Sequence, residues 1–336
     1  MTIALHAAPS RSAWWWARVA ATVATLAILV WRLGTGPFLD GLRTVDGRAL
    51  AAAAGLGVLT TVCSAWRWRT VARGLGVDLP LGAAIAAYYR STFLNVTVPG
   101  GVAGDVHRGF SHGRDTDDVG RGLRAVAWER SAGQAVQVVL TVAVLLVAPS
   151  PVRGAMPFVA LAVLAVGAGV ALAARARPAA GRSRWARLRG AATRELRDGL
   201  LAARAWPAVA VASALVVAGH AATFLIAART AGASAPLWQL LPLALIVLAA
   251  GVLPNVGGWG PREGVTAWAF AAAGLGASRG VSASVVYGVM VFVACLPGAA
   301  VLVAAWVQRT RSERWLRRPL PGGRGVPAPQ DGGADV

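Results

Sequence analysis

The chain contains no lysine. All 33 of its basic residues are arginine, so mechanisms that need a lysine nucleophile or a Schiff base are closed to it; a G+C-rich genome accounts for such a bias without functional pressure. Cysteine is nearly as scarce. Cys63 and Cys295 each lie within an apolar run with no partner at metal-ligand spacing, which excludes a disulfide framework or thiolate metal site and leaves both as packing residues. Charge of either sign is also in short supply, at 14% of residues against 56% hydrophobic, and the mean hydropathy is +0.58. A formal net charge of +19 would point to nucleic acid in a soluble protein. Here the arginines cluster in short loops beside apolar segments, where they set topology and meet anionic head groups, and no nucleic-acid-binding fold accompanies them.

What the chain does have is apolar sequence in runs of about twenty residues, the length that crosses a hydrocarbon core of about 30 Å. Such segments fall at 14–33, 48–66, 79–98, 124–148, 155–174, 206–228, 237–253, 264–277 and 281–307. They predict an all-α polytopic integral membrane protein with about seven to nine membrane segments. The first run is too long for a signal peptide and reads as a retained helix, anchored at the interface by Trp14, Trp15 and Trp16. Nine arginines between 175 and 204 and five between 309 and 318 mark both stretches as cytoplasmic. The expected organisation is a cytoplasmic N-terminus (1–13), a single membrane domain (14–307) holding an Arg-rich cytoplasmic loop (175–204), and a disordered cytoplasmic tail (308–336), all in the cell membrane.

Parity then becomes informative. Arg67, Arg69 and Arg73 follow segment 48–66, and Arg108, Arg114 and Arg121 follow 79–98, so both flanks of 79–98 read as cytoplasmic. A segment with both flanks on one side does not cross; it is predicted to enter from inside, break at VPGG (98–101) and return. The linkers near 149–154, 229–236 and 278–280 hold one arginine each and read as outside. Segments 237–253 and 264–277 therefore form a second hairpin, entered from outside and broken at LPNVGG. Residues 48–148 and 206–307 share the order span, broken hairpin, span, and the single helix 155–174 inverts the second unit. Inverted repeats with broken helices are a transporter architecture whose sites lie near the membrane midplane.

Three polar stretches interrupt the apolar sequence. In STFLNVTVPGGVAGDVHRGF (91–110), Asn95 precedes a break at Pro99 and Gly100, and a helix starting near Gly104 puts Asp105 and Arg108 on one face. In AWERSAG, Glu129 and Arg130 point about 100° apart, so each is expected to seek another helix. In VLPNVGGWGPREG, Pro254, Gly257, Gly258 and Gly260 loosen the backbone, and Pro261 starts a helix with Arg262 and Glu263 in its first turn. Glu263 suits a helix N-terminus, whereas Arg262 does not and needs a partner or an anionic ligand. The Arg262–Glu263 pair is expected near Asp105 and Arg108. Asp115, Asp117 and Asp118 read as a solvated turn rather than a metal site, and His220 as a helix-to-helix hydrogen bond.

In this order and spacing, NVTVPGGVAGDVHRG, AWER and LPNVGGWGPREG resemble the lysylphosphatidylglycerol synthase transmembrane (flippase-domain) family, which includes uncharacterised YbhN-like and AglD-like membrane proteins. The resemblance covers roughly 14–307. It implies broken helices and, in members fused to an aminoacyl-transferase domain, translocation of aminoacylated phospholipid between leaflets. Matching positions carry over as substrate-binding candidates: Asn95, Pro99, Gly100, Gly104, Asp105, Arg108, Glu129, Arg130, Pro254, Gly257, Gly258, Gly260, Arg262 and Glu263. This chain ends after the membrane region in a Gly/Pro-rich tail, so its lipid need not be the lysyl one, and it is expected to be a transporter rather than an enzyme. The expected activity is translocation of a phospholipid or polyprenyl-phosphate-linked lipid through a polar midplane groove, with no cofactor, no metal and no nucleic-acid partner. A homo-oligomer is compatible with it. The alternative is a membrane-embedded transferase acting on the same lipids.

Overall fold

In hydrocarbon a backbone must satisfy its own polar groups, so apolar runs of this length become helices. The structure, a computed structural model, is all-α and describes residues 11–98, 101–175, 190, 193, 195, 205–251, 253, 255–256 and 259–316. Its helices are α1 (Arg11–Leu33), α2 (Gly36–Thr44), α3 (Gly47–Gly74), α4 (Leu81–Thr97), α5 (Ala103–Asp115), α6 (Val119–Val147), α7 (Met156–Arg175), α8 (Trp206–Thr230), α9 (Leu237–Ala250), α10 (Pro261–Ala272), α11 (Ala277–Cys295) and α12 (Pro297–Leu316). Most of the Arg-rich loop, the extreme N-terminus and most of the tail lie outside the described residues, as do Pro99, Gly100, Pro254, Gly257 and Gly258.

Among the described residues, five stretches are long and apolar enough to cross a bilayer: α3, α6, Arg153–Ala173, α8, and α11 continued into α12 as far as Gln308. Counting the bent pair Val19–Leu33 and Gly36–Thr44, at 97°, as one broken span makes a sixth. This is slightly fewer than the seven to nine expected. The difference is the hairpin arms α4, α9 and α10, which have 17, 14 and 12 residues and reach only roughly 26, 21 and 18 Å at 1.5 Å per residue. Two boundaries also move. α3 continues to Gly74, so Arg67, Arg69 and Arg73 lie within the helix rather than after it, and the short helix α2 lies between the expected segments 14–33 and 48–66.

The helix contacts follow a symmetric pattern between the two halves. Exchanging α3 with α8, α4 with α9, α5 with α10 and α6 with α11 maps the packed pairs onto one another. Thus α3–α4 answers α8–α9, α4–α5 answers α9–α10, α5–α6 answers α10–α11, and α3–α11 answers α6–α8. The central spans α3 and α8 pack together. Phe224 of α8 is completely buried there, with its ring edge-on to Phe270 and Tyr287. By contrast α7 packs against α6 and leaves Phe158, Leu161 and Leu164 largely exposed, as a lipid-facing helix would.

Hairpin closure depends on small residues and on caps. The Asp118 carboxylate accepts the Arg121 N–H (2.8 Å) and caps α6, which gives the acidic turn a structural role. Gly104 lies so close to α4 that a Cβ there would stand 1.9 Å from the Ser91 carbonyl oxygen. Its N–H donates to Asn95 Oδ1 at 2.8 Å. Gly104→Ala is therefore expected to splay α5 from α4 and to destabilise the protein by about 1–3 kcal/mol, as overpacking does. Gly82→Ala, on the same hairpin with open space around it, serves as the control, and thermal unfolding in detergent distinguishes the two.

Candidate functional site

Asp105 sits in the first turn of α5, where a carboxylate is favoured by the helix dipole. One of its oxygens accepts Ser91 Oγ (3.0 Å) and Arg108 Nη2 (3.1 Å); the other accepts Asn95 Nδ2 (3.1 Å) and Arg130 Nη2. Glu129, one position before Arg130 on α6, has no exposed surface. Its Oε1 accepts Arg67 Nε (2.9 Å) and Nη2, and its Oε2 accepts Arg108 Nη2 (3.0 Å). Arg67 also donates through Nη1 to Ser213 Oγ of α8 at 3.0 Å. Five charged side chains from α3, α5 and α6 thus form one continuous network, with Glu129 and Arg130 each reaching other helices as their spacing implied.

The network is packed as well as paired. The Arg108 guanidinium is sandwiched between the rings of Trp68 (4.4 Å) and Tyr88 (4.3 Å), a cation–π cage that leaves it buried. The Arg67 guanidinium lies over Gly133 of α6, where a Cβ would come within 2.7 Å of Nη1. Arg67 was missed as a site residue because it reads as a loop charge following an apolar segment. The readable signal was on α3, where Thr60, Ser64 and Arg67 recur at i, i+4 and i+7 on one face.

Three arginines face two carboxylates, so the network carries one positive charge in excess. Arg130 presents it. Its side chain is 42% exposed, while Arg67 and Arg108 are buried, and it gives only Nη2 to Asp105. Arg130 stands where two cavities meet. One, of about 280 Å³, has polar walls that include Arg67, Asn95, Gln134, Gln137 and His220. The other, of about 420 Å³, is walled by Val102, Val106, Leu123, Val126 and Ala127 beside Asp105. Gly101, Arg130 and Gln134 belong to both. His220 faces the polar cavity and a neighbouring one of about 40 Å³. It has no hydrogen bond to another described residue, in place of the helix-to-helix bond expected of it.

The second hairpin closes on itself. Glu263, fully buried, accepts Gly260 N–H (2.7 Å), Arg262 Nη2 (2.7 Å) and Ser284 Oγ (3.1 Å). Gly260 takes φ +108°, in the region that favours glycine. Arg262 lies against the rings of Trp259 and Tyr287, in space that Gly288 leaves open. The cost of a cation at this helix start is thus met by the adjacent carboxylate. No hydrogen bond or ion pair among the described residues joins Arg262 or Glu263 to Asp105 or Arg108. The two breaks meet at Gly101 and Asn255, where a Cβ on Gly101 would be 3.5 Å from Asn255 Oδ1.

The family model for the lysylphosphatidylglycerol synthase TM region matches residues 15–298. The chain belongs to this family. A search of curated proteins returned no match. The lysylphosphatidylglycerol synthase TM region therefore spans both hairpins and all five members of the charged network, and it makes this a membrane protein related to lipid handling.

Within this family fold, breaking a buried ion pair from one side leaves an uncompensated charge, at about 3–5 kcal/mol. Glu129→Met, which leaves buried Arg67 with no carboxylate partner, is expected to destabilise by that order, and Arg67→Met by less, because Arg108 still answers Glu129. Arg130→Gln, at a half-exposed position, should shift thermal unfolding much less; equal shifts for Glu129→Met and Arg130→Gln would contradict this division of roles.

Proposed function

We propose that the chain translocates an anionic lipid, a phospholipid or a polyprenyl-phosphate-linked lipid, between leaflets, with Arg130 holding the lipid phosphate. The observation that carries this reading is the position of Arg130 on the wall common to a polar and an apolar cavity. A lipid has the same division. Its chains match the exposed apolar surfaces of Val102, Val106 and Leu123, its phosphate the planar donors of a guanidinium, and its remaining head group the polar cavity. A charged head group is costly in hydrocarbon, and a polar groove lowers that cost along the way.

The inverted architecture supports movement as well as binding. In transporters of this design one half rocks against the other around a site between them. Gly101 and Asn255 join the two hairpins at the edge of the cavity, and rocking would part that contact.

The test is movement of labelled phosphatidylglycerol between leaflets of vesicles containing the purified protein. Arg130→Gln is expected to lower the protein-dependent rate at least about tenfold, roughly 1.4 kcal/mol of lost stabilisation, with the protein still folded. An unchanged rate would remove Arg130 from the role. Recovery of a covalently altered lipid from the same vesicles would make the chain a transferase instead.

A further inference from the structure

We infer that the head group accepted here is anionic and hydroxyl-bearing, a phosphodiester with a polyol or sugar substituent, and that a head group carrying an ammonium is disfavoured. This rests on the lipid reading of the same cavities and narrows its substrate. The order of groups along a lipid fixes what each wall meets. With chains on the apolar cavity and phosphate at Arg130, whatever is esterified beyond the phosphate enters the polar cavity. Its volume, about 280 Å³, lies near the lower edge of small-molecule sites, which is room for a head group and not for a whole lipid.

The described lining of that cavity offers no counter-ion to a cation. Among the described residues no Asp or Glu lines it, while Arg67 and Arg130 do. The nearby carboxylates are already committed. Glu129 has no exposed surface, and Asp105 accepts Ser91, Asn95, Arg108 and Arg130. An ammonium entering the cavity would face two guanidinium groups and no carboxylate among the described lining residues, an arrangement that selects against it. Asn95, Gln134 and Gln137 both donate and accept hydrogen bonds, and His220 can do so when neutral, which is what hydroxyl groups require. The selectivity therefore runs opposite to the lysyl lipid in the family's name.

The experiment uses the full chain in phosphatidylcholine nanodiscs and vesicles. Dioctanoyl phosphatidylglycerol, its lysyl ester and a polyprenyl-phosphate sugar compete for binding, read by native mass spectrometry, while leaflet exchange is measured in parallel. Phosphatidylglycerol or the sugar lipid is expected to bind at least about tenfold more tightly than the lysyl ester; whichever of the two binds tighter identifies the hydroxylated substituent. Gln137→Glu, nearly isosteric, adds a carboxylate to the wall and should narrow or reverse the preference, whereas Gln137→Leu should weaken the hydroxylated lipid without favouring the lysyl ester. Equal or tighter binding of the lysyl ester by the unaltered protein overturns the head-group assignment, and leaves the translocase reading standing if lipid still moves. Selective binding of the hydroxylated lipid with no exchange upholds the assignment and overturns translocation. Binding of none of the three overturns both.

Discussion

Glu129 accepts Arg67 on one oxygen and Arg108 on the other, with no surface of its own exposed. A carboxylate buried in a membrane protein persists only if its charge is answered at close range, and the two answers come from different helices. Arg67 lies on α3 and Arg108 on α5, so the interaction pins the returning arm of the first hairpin to both spans of its repeat. The bond from Arg67 to Ser213 extends the tie to α8 and the second repeat. The small residues nearby follow from the same demand. Gly104 lets α5 approach close enough to α4 for Asp105 to reach Ser91 and Asn95, and Gly133 leaves space on α6 for the Arg67 guanidinium.

The repeats share architecture but differ in what they leave open. In the second hairpin, Arg262 and Glu263 neutralise each other beside Ser284, and aromatic rings cover the cation. In the first, three arginines meet two carboxylates, and the excess charge falls on the half-exposed member, which lines both cavities. A fully neutralised network would serve stability alone. One that retains a half-exposed cation where polar and apolar walls join has a surface suited to an amphiphile with a negative charge.

Much of this was readable in the sequence because local spacing decided it. Asp105 and Arg108, three apart on a short helix, pair as expected, and adjacent Glu129 and Arg130 diverge to different partners because successive helical residues point about 100° apart. Breaks at Pro- and Gly-rich segments located both hairpins. What spacing does not encode is contact between distant helices. Arg67 carried the signature of a topological loop charge, and only the continuation of α3 to Gly74 shows it to be interior. The meeting of Arg262 and Glu263 with the first network is an inference from symmetry of pattern, whereas the bonds these residues make are to each other, to Gly260 and to Ser284. Arg130, by contrast, was legible as a candidate but not as the exposed member, since exposure depends on how Trp68 and Tyr88 enclose Arg108 instead.

The central claim is that Arg130 is where this fold meets a lipid phosphate. An experimental structure of the protein in nanodiscs containing phosphatidylglycerol tests it most directly. Lipid density is expected with its phosphate at hydrogen-bond distance, about 3 Å, from the Arg130 guanidinium and its chains along Val102, Val106 and Leu123. Well-ordered lipid phosphate at Arg262, with none at Arg130, would contradict it.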